Sequence, residues 1–345
     1  MNPFDYAVVA TPEDALAEIA SSAAPPSTRF IAGGTNLLDL MKENVARVAK
    51  LVDINRLGLD GIEANDAGGL TLGALARNAG TAYHPEVRDR YPLLSAAILA
   101  GASPQIRNMA SNGGNLLQRT RCYYFYDTAT PCNKRQPGSG CSAIGGLTRQ
   151  HAILGASAHC IATHPSDMCV ALAALGAVVR VQSPAGPRHI AFSDFHRLPG
   201  DRPELDTTLQ DDELITHIEL PPADRFKAHS AYLKIRERAS YAFALVSVAA
   251  ALDLGEDGRV LEARVALGGV AHKPWRDRAA EALLVGEPAT EAGFQQVAEA
   301  LLQGARGQGD NHFKIPLARR AIVRALSVAA RGTAIQQQDP PSETA

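Results

Sequence analysis

Five cysteines stand at positions 122, 132, 141, 160 and 169 of a 345-residue chain. Thiols gathered in one stretch admit a disulfide framework, a zinc site or an iron–sulfur cluster. The odd count, the size of the chain and the lack of a visible export signal argue against disulfides. Structural zinc sites are built from closely spaced C-x2–4-C pairs, and no such pair occurs here. A [4Fe–4S] cluster needs four thiolates converging from different directions and can order a loop that has few apolar residues. Cys122, Cys132, Cys141 and Cys160 lie in such a loop, rich in Gly, Pro and Ser, and are read as its ligands. Cys169 sits in the apolar run Asp167–Leu175, where a small thiol belongs to a helix core. Arg119, Arg121, Lys134 and Arg135 flank the set, either as counter-charges to an anionic cluster or as solvated loop charges. His159 and His164 flank Cys160 and are alternative ligands, placed after the four cysteines.

Two glycine turns suggest anion chemistry. A short strand runs into Ala32-Gly33-Gly34-Thr35-Asn36 and then into a helix, which leaves N–H groups free for a phosphate. Ser111-Asn112-Gly113-Gly114-Asn115 is a second such turn. Two cradles suit a pyrophosphate held from two sides; the alternative is two ordinary turns. Neither is a Rossmann fingerprint or a Walker A loop.

The elements that must position these residues follow from pattern. Thr11-Pro12-Glu13-Asp14 is a helix start, and short strands are expected at 29–32, 51–54 and 70–73. An apolar helix covers 92–101, residues 103–160 break the pattern, and a helix at 168–175 precedes a buried strand at 177–181. The strand 213–220 ends at Pro221-Pro222, a domain boundary. Strands at 231–236, 243–253 and 259–268, then helices near 276–284, 290–303 and 315–330, form a small α+β domain. The polar segment 333–345 reads as a disordered tail.

Composition sets the class. A hydrophobic share of 46%, a charged share of 20% and a net charge of −2 describe a soluble globular chain of two domains. No apolar run is long enough to span a membrane, no basic field argues for nucleic acid, and no signal peptide is visible.

Taken in order, these motifs resemble the FAD-binding subunit of the molybdenum hydroxylases, the xanthine dehydrogenase family. The first turn is similar to that family's A-G-G-[TH]-[NS]-L and the second to its T-x-G-G-N, with Ser111 in place of threonine. Pro165-Ser166-Asp167, the strand from Glu213 to Pro221 and the segment Tyr232-Leu-Lys-Ile-Arg-Glu-Arg238 also match, so the resemblance runs from about residue 4 to 330. The cysteine loop, with Ala239–Val246 and Gly268–Trp275, resembles the periplasmic aldehyde oxidoreductase branch; 4-hydroxybenzoyl-CoA reductases are the other branch with such a loop.

The resemblance implies an α+β chain: a PCMH-type (vanillyl-alcohol-oxidase-like) FAD domain over 1–222, holding an iron–sulfur loop at about 116–165. A C-terminal domain of the CO dehydrogenase flavoprotein type follows over 228–332. Ile31, Ala32, Gly33, Gly34, Thr35, Asn36 and Leu37, with Ser111, Gly113, Gly114 and Asn115, would surround the FAD. Asp167 would accept from a ribose hydroxyl, Ile215 would make an apolar flavin contact, and Lys234 would stabilise reduced flavin. Tyr241 or Phe243 would stack on the flavin or lie in the core, and the FAD would be dissociable.

Implied partners are a large Mo-molybdopterin subunit and a small subunit with two [2Fe–2S] clusters, a heterotrimer delivering electrons to an external acceptor. Aldehyde oxidation would take place outside this chain. The rival readings are a 4-hydroxybenzoyl-CoA reductase-like or xanthine dehydrogenase-like subunit, a stand-alone FAD oxidase, and a stapled binding module. Cluster assembly needs a reducing compartment, so folding is expected in the bacterial cytoplasm. A signal-bearing partner could carry the complex to the periplasm.

Overall fold

The computed structural model describes residues 1–21 and 28–333. From residue 334 on, the tail expected to be disordered lies outside the described residues. Three parallel strands open the chain: β1 (Asp5–Val8), β2 (Thr28–Ile31) and β3 (Lys50–Asp53), in the order β1-β3-β2. The helix Pro12–Ala20 starts as its sequence dictates. Thr11 Oγ accepts from the Asp14 N–H at 3.1 Å, and Pro12 fills a first-turn position whose N–H would have no partner. Ala15 and Leu16 then close over Val52 and Ile54 in a small core.

A five-stranded antiparallel sheet follows. It contains β4 (Ile62–Ala64), β5 (Leu70–Gly73), β6 (Val178–Ser183), β7 (Gly186–Ala191) and β8 (Leu214–Leu220), ordered β4-β5-β8-β6-β7. The apolar helices Pro92–Ala100 and Asp167–Leu175 share its core. Ser166 caps the second of these, accepting from the Cys169 N–H at 3.1 Å, and Gly176 ends it in the left-handed conformation.

The last sheet is antiparallel and four-stranded: β9 (Ser230–Ile235), β10 (Val246–Leu254), β11 (Val260–Gly268) and β12 (Trp275–Arg276), ordered β12-β11-β10-β9. Helices Glu291–Leu301 and Lys314–Arg331 cover one face. Strand β10 is apolar almost throughout because it serves two cores. Val246, Val248, Ala250 and Leu252 point into the core under those helices, while Ala249 and Ala251 join the core around Asp167–Leu175. The two-residue period of a strand sorts them.

Most expected elements are present within a few residues of their anticipated ends. The stretch 103–160 contains three short helices that pattern reading missed, Pro104–Met109, Asn112–Leu116 and Tyr123–Tyr126. Helices this short present no apolar stripe; Ser103 and Ser111 start two of them by capping the N–H groups of Ile106 and Gly114. From 127 to 166 there is neither helix nor ladder, only an isolated bridge between Cys132 and Cys141. Backbone bonds hold this loop to the C-terminal half: Ile153 and Leu154 donate to the Val270 carbonyl at 2.9 and 3.0 Å, His164 to Ala271 at 3.0 Å.

Candidate functional site

The FAD residues expected from both glycine turns, together with Asp167, Ile215 and Lys234, all line one cavity of about 970 Å³. That volume lies within the range of small-molecule sites.

The two turns meet but present different chemistry. A Cβ on Gly33 would overlap the Met109 carbonyl, so only glycine allows the first turn to lie against the approach to the second. Gly34 is in the left-handed region at φ 69°. The N–H groups of Gly33, Gly34 and Thr35 have no acceptor among the described residues, and all three residues line the cavity. Asn36 turns its Oδ1 away to accept from the Arg119 N–H at 3.0 Å.

In the second turn the donors are already committed. Asn112 and Gly113 donate to the carbonyls of Ala76 and Ala74, and Gly114 to Ser111 Oγ at 3.2 Å. Asn115 Nδ2 donates to Asn78 Oδ1 at 2.6 Å, and its Oδ1 accepts from Ser166 Oγ and Gln118 Nε2. The second turn therefore shapes the wall, while free N–H groups come from the first.

Asp167, the first residue of its helix, is buried between two partners from β9. Lys234 Nζ lies 2.8 Å from Oδ2 and also donates to the Ala100 carbonyl at 3.0 Å. The Tyr232 hydroxyl donates to Oδ1 at 2.7 Å. Burial, and then the Asp167 charge, push the Tyr232 phenol well above its ordinary range, so it remains a donor. Tyr232 was not anticipated, although a strand places residues two apart on one face, and that period was available from Lys234. Ile215 is buried on β8. Tyr241 and Phe243 are exposed at the cavity, which excludes the core alternative for both; Arg121 covers the Phe243 ring at 5.0 Å.

None of the cysteines is in a disulfide. Cys132 faces Cys141 across their bridge, and the thiols of Cys122 and Cys160 each feel the charge of Cys132. Cys160 also contributes to the upward shift of Cys122, and Cys141 to that of Cys160. Burial pushes the Cys122 thiol up to about 12 and that of Cys160 to about 11, with Lys134 opposing the latter. Thiols so placed keep their protons at neutral pH.

A tetrahedral zinc with sulfurs at ~2.3 Å would bring those sulfurs within about 3.8 Å of one another. Among the described residues only His164, Cys169 and His196 gather three ligand atoms within 4.8 Å, so the four loop cysteines are spread more widely than zinc would hold them. Four thiols are the donor set a four-iron cube takes.

Cys169 is fully buried in its helix, and burial pushes its thiol up to about 12. Burial also lowers His164 well below its ordinary value and His196 to about 4, so the trio is neutral. His159 is exposed. The flanking cations are not solvated loop charges. Lys134 is buried and paired with Asp206, Arg119 binds the same carboxylate at 2.7 Å, and Arg135 donates to the carbonyls of Tyr124 and Phe125. Burial opposes ionisation of Asp206, but Arg119 and Lys134 outweigh it and hold the carboxyl well below its usual range.

Residues 2–223 match the family described as the FAD binding domain in molybdopterin dehydrogenase. Residues 231–329 match the CO dehydrogenase flavoprotein C-terminal domain. The aldehyde oxidoreductase FAD-binding subunit PaoB of Escherichia coli is 51% identical, over 95% of this chain and 99% of its own. The glyceraldehyde dehydrogenase medium chain of Sulfolobus acidocaldarius is 27% identical over 88% of this chain and 89% of its own. Among solved structures, a carbon monoxide dehydrogenase chain from Hydrogenophaga pseudoflava superposes with a TM-score of 0.74 at 26% identity, covering 96% of this chain and all of that one.

Proposed function

Because this chain belongs to the FAD-binding subunits of the molybdenum hydroxylases, we propose that it is the flavoprotein subunit of an aldehyde oxidoreductase. Identity of 51% along nearly the whole of PaoB carries the choice of aldehyde over other substrates. In this reading residues 1–222 hold FAD and 228–332 form the C-terminal flavoprotein domain. A large molybdopterin subunit and a small [2Fe–2S] subunit complete the heterotrimer.

FAD, when bound, supplies the exchange of electrons between the partners' iron–sulfur centres and an external acceptor. The N–H groups of Gly33, Gly34 and Thr35 would bind its pyrophosphate, and the second turn would hold the wall in shape. The buried Lys234–Asp167 pair keeps an ammonium at the cavity wall, where it would stabilise negative charge on reduced flavin. Ile215 supplies apolar surface inside the cavity, and Tyr241 and Phe243 supply exposed rings beside it.

The four loop cysteines are assigned to a [4Fe–4S] cluster in this chain, supported by their free thiols and by the lack of any zinc-sized grouping of three of them. No helix among the described residues is long and apolar enough to cross a membrane. We place folding in the cytoplasm, where a cluster can be inserted, with export left to a partner.

The test is anaerobic purification of the assembled complex, with released flavin, iron and acid-labile sulfide assigned to this subunit. About one FAD, four irons and four sulfides per chain, with flavin bleaching on addition of an aldehyde, is the expected result. Flavin without iron in this subunit would remove the cluster, and flavin that no aldehyde reduces would remove the aldehyde assignment.

A further inference from the structure

One contact at the cysteine set has no role in the assignments above. His151 Nε2 lies 3.1 Å from Cys122 Sγ, while His151 Nδ1 is buried and without a partner among the described residues. We propose that, when Cys122 is a cluster ligand, His151 donates its Nε2–H to the Cys122 sulfur and raises the reduction potential of the cluster. This rests on the [4Fe–4S] reading.

The tautomer follows from both observations together. A neutral imidazole carries one ring proton, and a thiolate ligand carries none. The contact is therefore a hydrogen bond only if the proton sits on Nε2. That choice leaves Nδ1 as a bare lone pair; the other would bury an N–H with no acceptor and set a lone pair against an anionic sulfur, which costs more.

The His151 backbone is held from behind by groups that do not touch the cysteines. The His151 carbonyl accepts from Lys314 Nζ at 2.8 Å and from Asn311 Nδ2 at 3.1 Å, and its N–H donates to Thr148 at 2.8 Å. Lys314 is fully buried and its other acceptor is the Gly269 carbonyl. A donor held by its backbone in this way is in place before the cluster arrives. Hydrogen bonds to cluster sulfurs favour the more negative reduced state and so raise the potential.

The experiment compares His151→Leu, which cannot donate, with His151→Gln, whose amide reaches the position of Nε2. Each is measured in the assembled complex by iron content and by an EPR-monitored redox titration. With iron retained, His151→Leu should reduce the ratio of reduced to oxidised cluster about tenfold at fixed potential, a shift of about 59 mV for a one-electron couple. His151→Gln should recover most of it.

An unchanged potential in iron-replete His151→Leu overturns the proposal and leaves the cluster reading intact. Iron lost from His151→Leu but kept in His151→Gln at near wild-type potential supports the donor. Iron lost from both, with the wild type loaded, overturns it in favour of packing. Absence of iron from the wild type removes the cluster reading and this proposal together.

Discussion

The ammonium of Lys234 and the carboxylate of Asp167 lie 2.8 Å apart, buried, and come from segments that match two different families. Asp167 starts a helix of the FAD-binding segment, and Lys234 belongs to β9 of the C-terminal one. One ion pair therefore seals the cavity wall and joins the two halves.

Removing either charge alone should be worse than removing both. A buried pair stripped of one partner leaves an uncompensated charge, at a cost of ~3–5 kcal/mol. Lys234→Met and Asp167→Leu should each show that loss in chemical unfolding, and the double variant should recover much of it. A double variant as unstable as the sum of its singles would mean the two residues act independently.

Gly33→Ala should sharply lower the ratio of flavin to protein, because the added methyl meets the Met109 carbonyl and displaces the turn that carries the free N–H groups. Gly80→Ala is the control: a Cβ there meets nothing within 4 Å, and the residue lies inside the helix Asn78–Tyr83. It should keep its flavin and gain ~0.5–1 kcal/mol. Equal flavin content in the two variants would remove the first turn from the site.

Lys314 makes the chain sensitive to pH in an unusual direction. Burial brings its ammonium from an ordinary 10.5 down to about 7. Between those values the folded chain binds fewer protons than the unfolded one, so stability rises with pH. The slope should reach at most about 1.4 kcal/mol per pH unit. Urea titrations from pH 7 to 10 should show it in the wild type and a flatter profile in Lys314→Met.

Asp206 acts at the acid end. Its carboxyl lies below the ordinary 3.8, so its contribution is complete above that value and fades as pH falls through the folded one. Asp206→Asn should destabilise the chain at neutral pH by leaving Lys134 buried beside a neutral amide, and the deficit should shrink towards pH 2. Circular dichroism during acid titration measures both. A deficit constant down to pH 2 would assign the loss to packing.

Cys132→Ser, Cys141→Ser and Cys160→Ser should each deplete iron, while Cys169→Ala should keep it. Iron and sulfide analysis decides, and iron lost with Cys169→Ala would shift the ligand set.

Much of this was legible in the chain. Thr11 announced its helix through a cap confined to a few residues, and the glycine turns declared their backbone needs locally. What stayed hidden depends on separation. Nothing near His151 reveals that its ring meets Cys122, and nothing near Lys134 reveals Asp206. The commitment of Asn115 to Asn78 and Ser166 was hidden for the same reason: an amide in a glycine turn reads as a ligand donor until its distant acceptor is in place. Strand β7, polar and at the sheet edge, gave no alternating pattern to find.

Strand β10, with a side chain in each of two cores, makes the seam between the matched segments unsuitable as a place to cut. A fragment ending near residue 223 would strip cover from the helix Asp167–Leu175 and leave Asp167 without either partner. During synthesis the same dependence imposes an order. The cofactor cavity lacks a wall until Lys234 has left the ribosome, and the cysteine loop lacks its anchors until Asn311 and Lys314 follow. Flavin binding, and iron binding if the proposed cluster is present, would accordingly be late, post-translational events, and a nascent chain stalled before its last helix should emerge colourless.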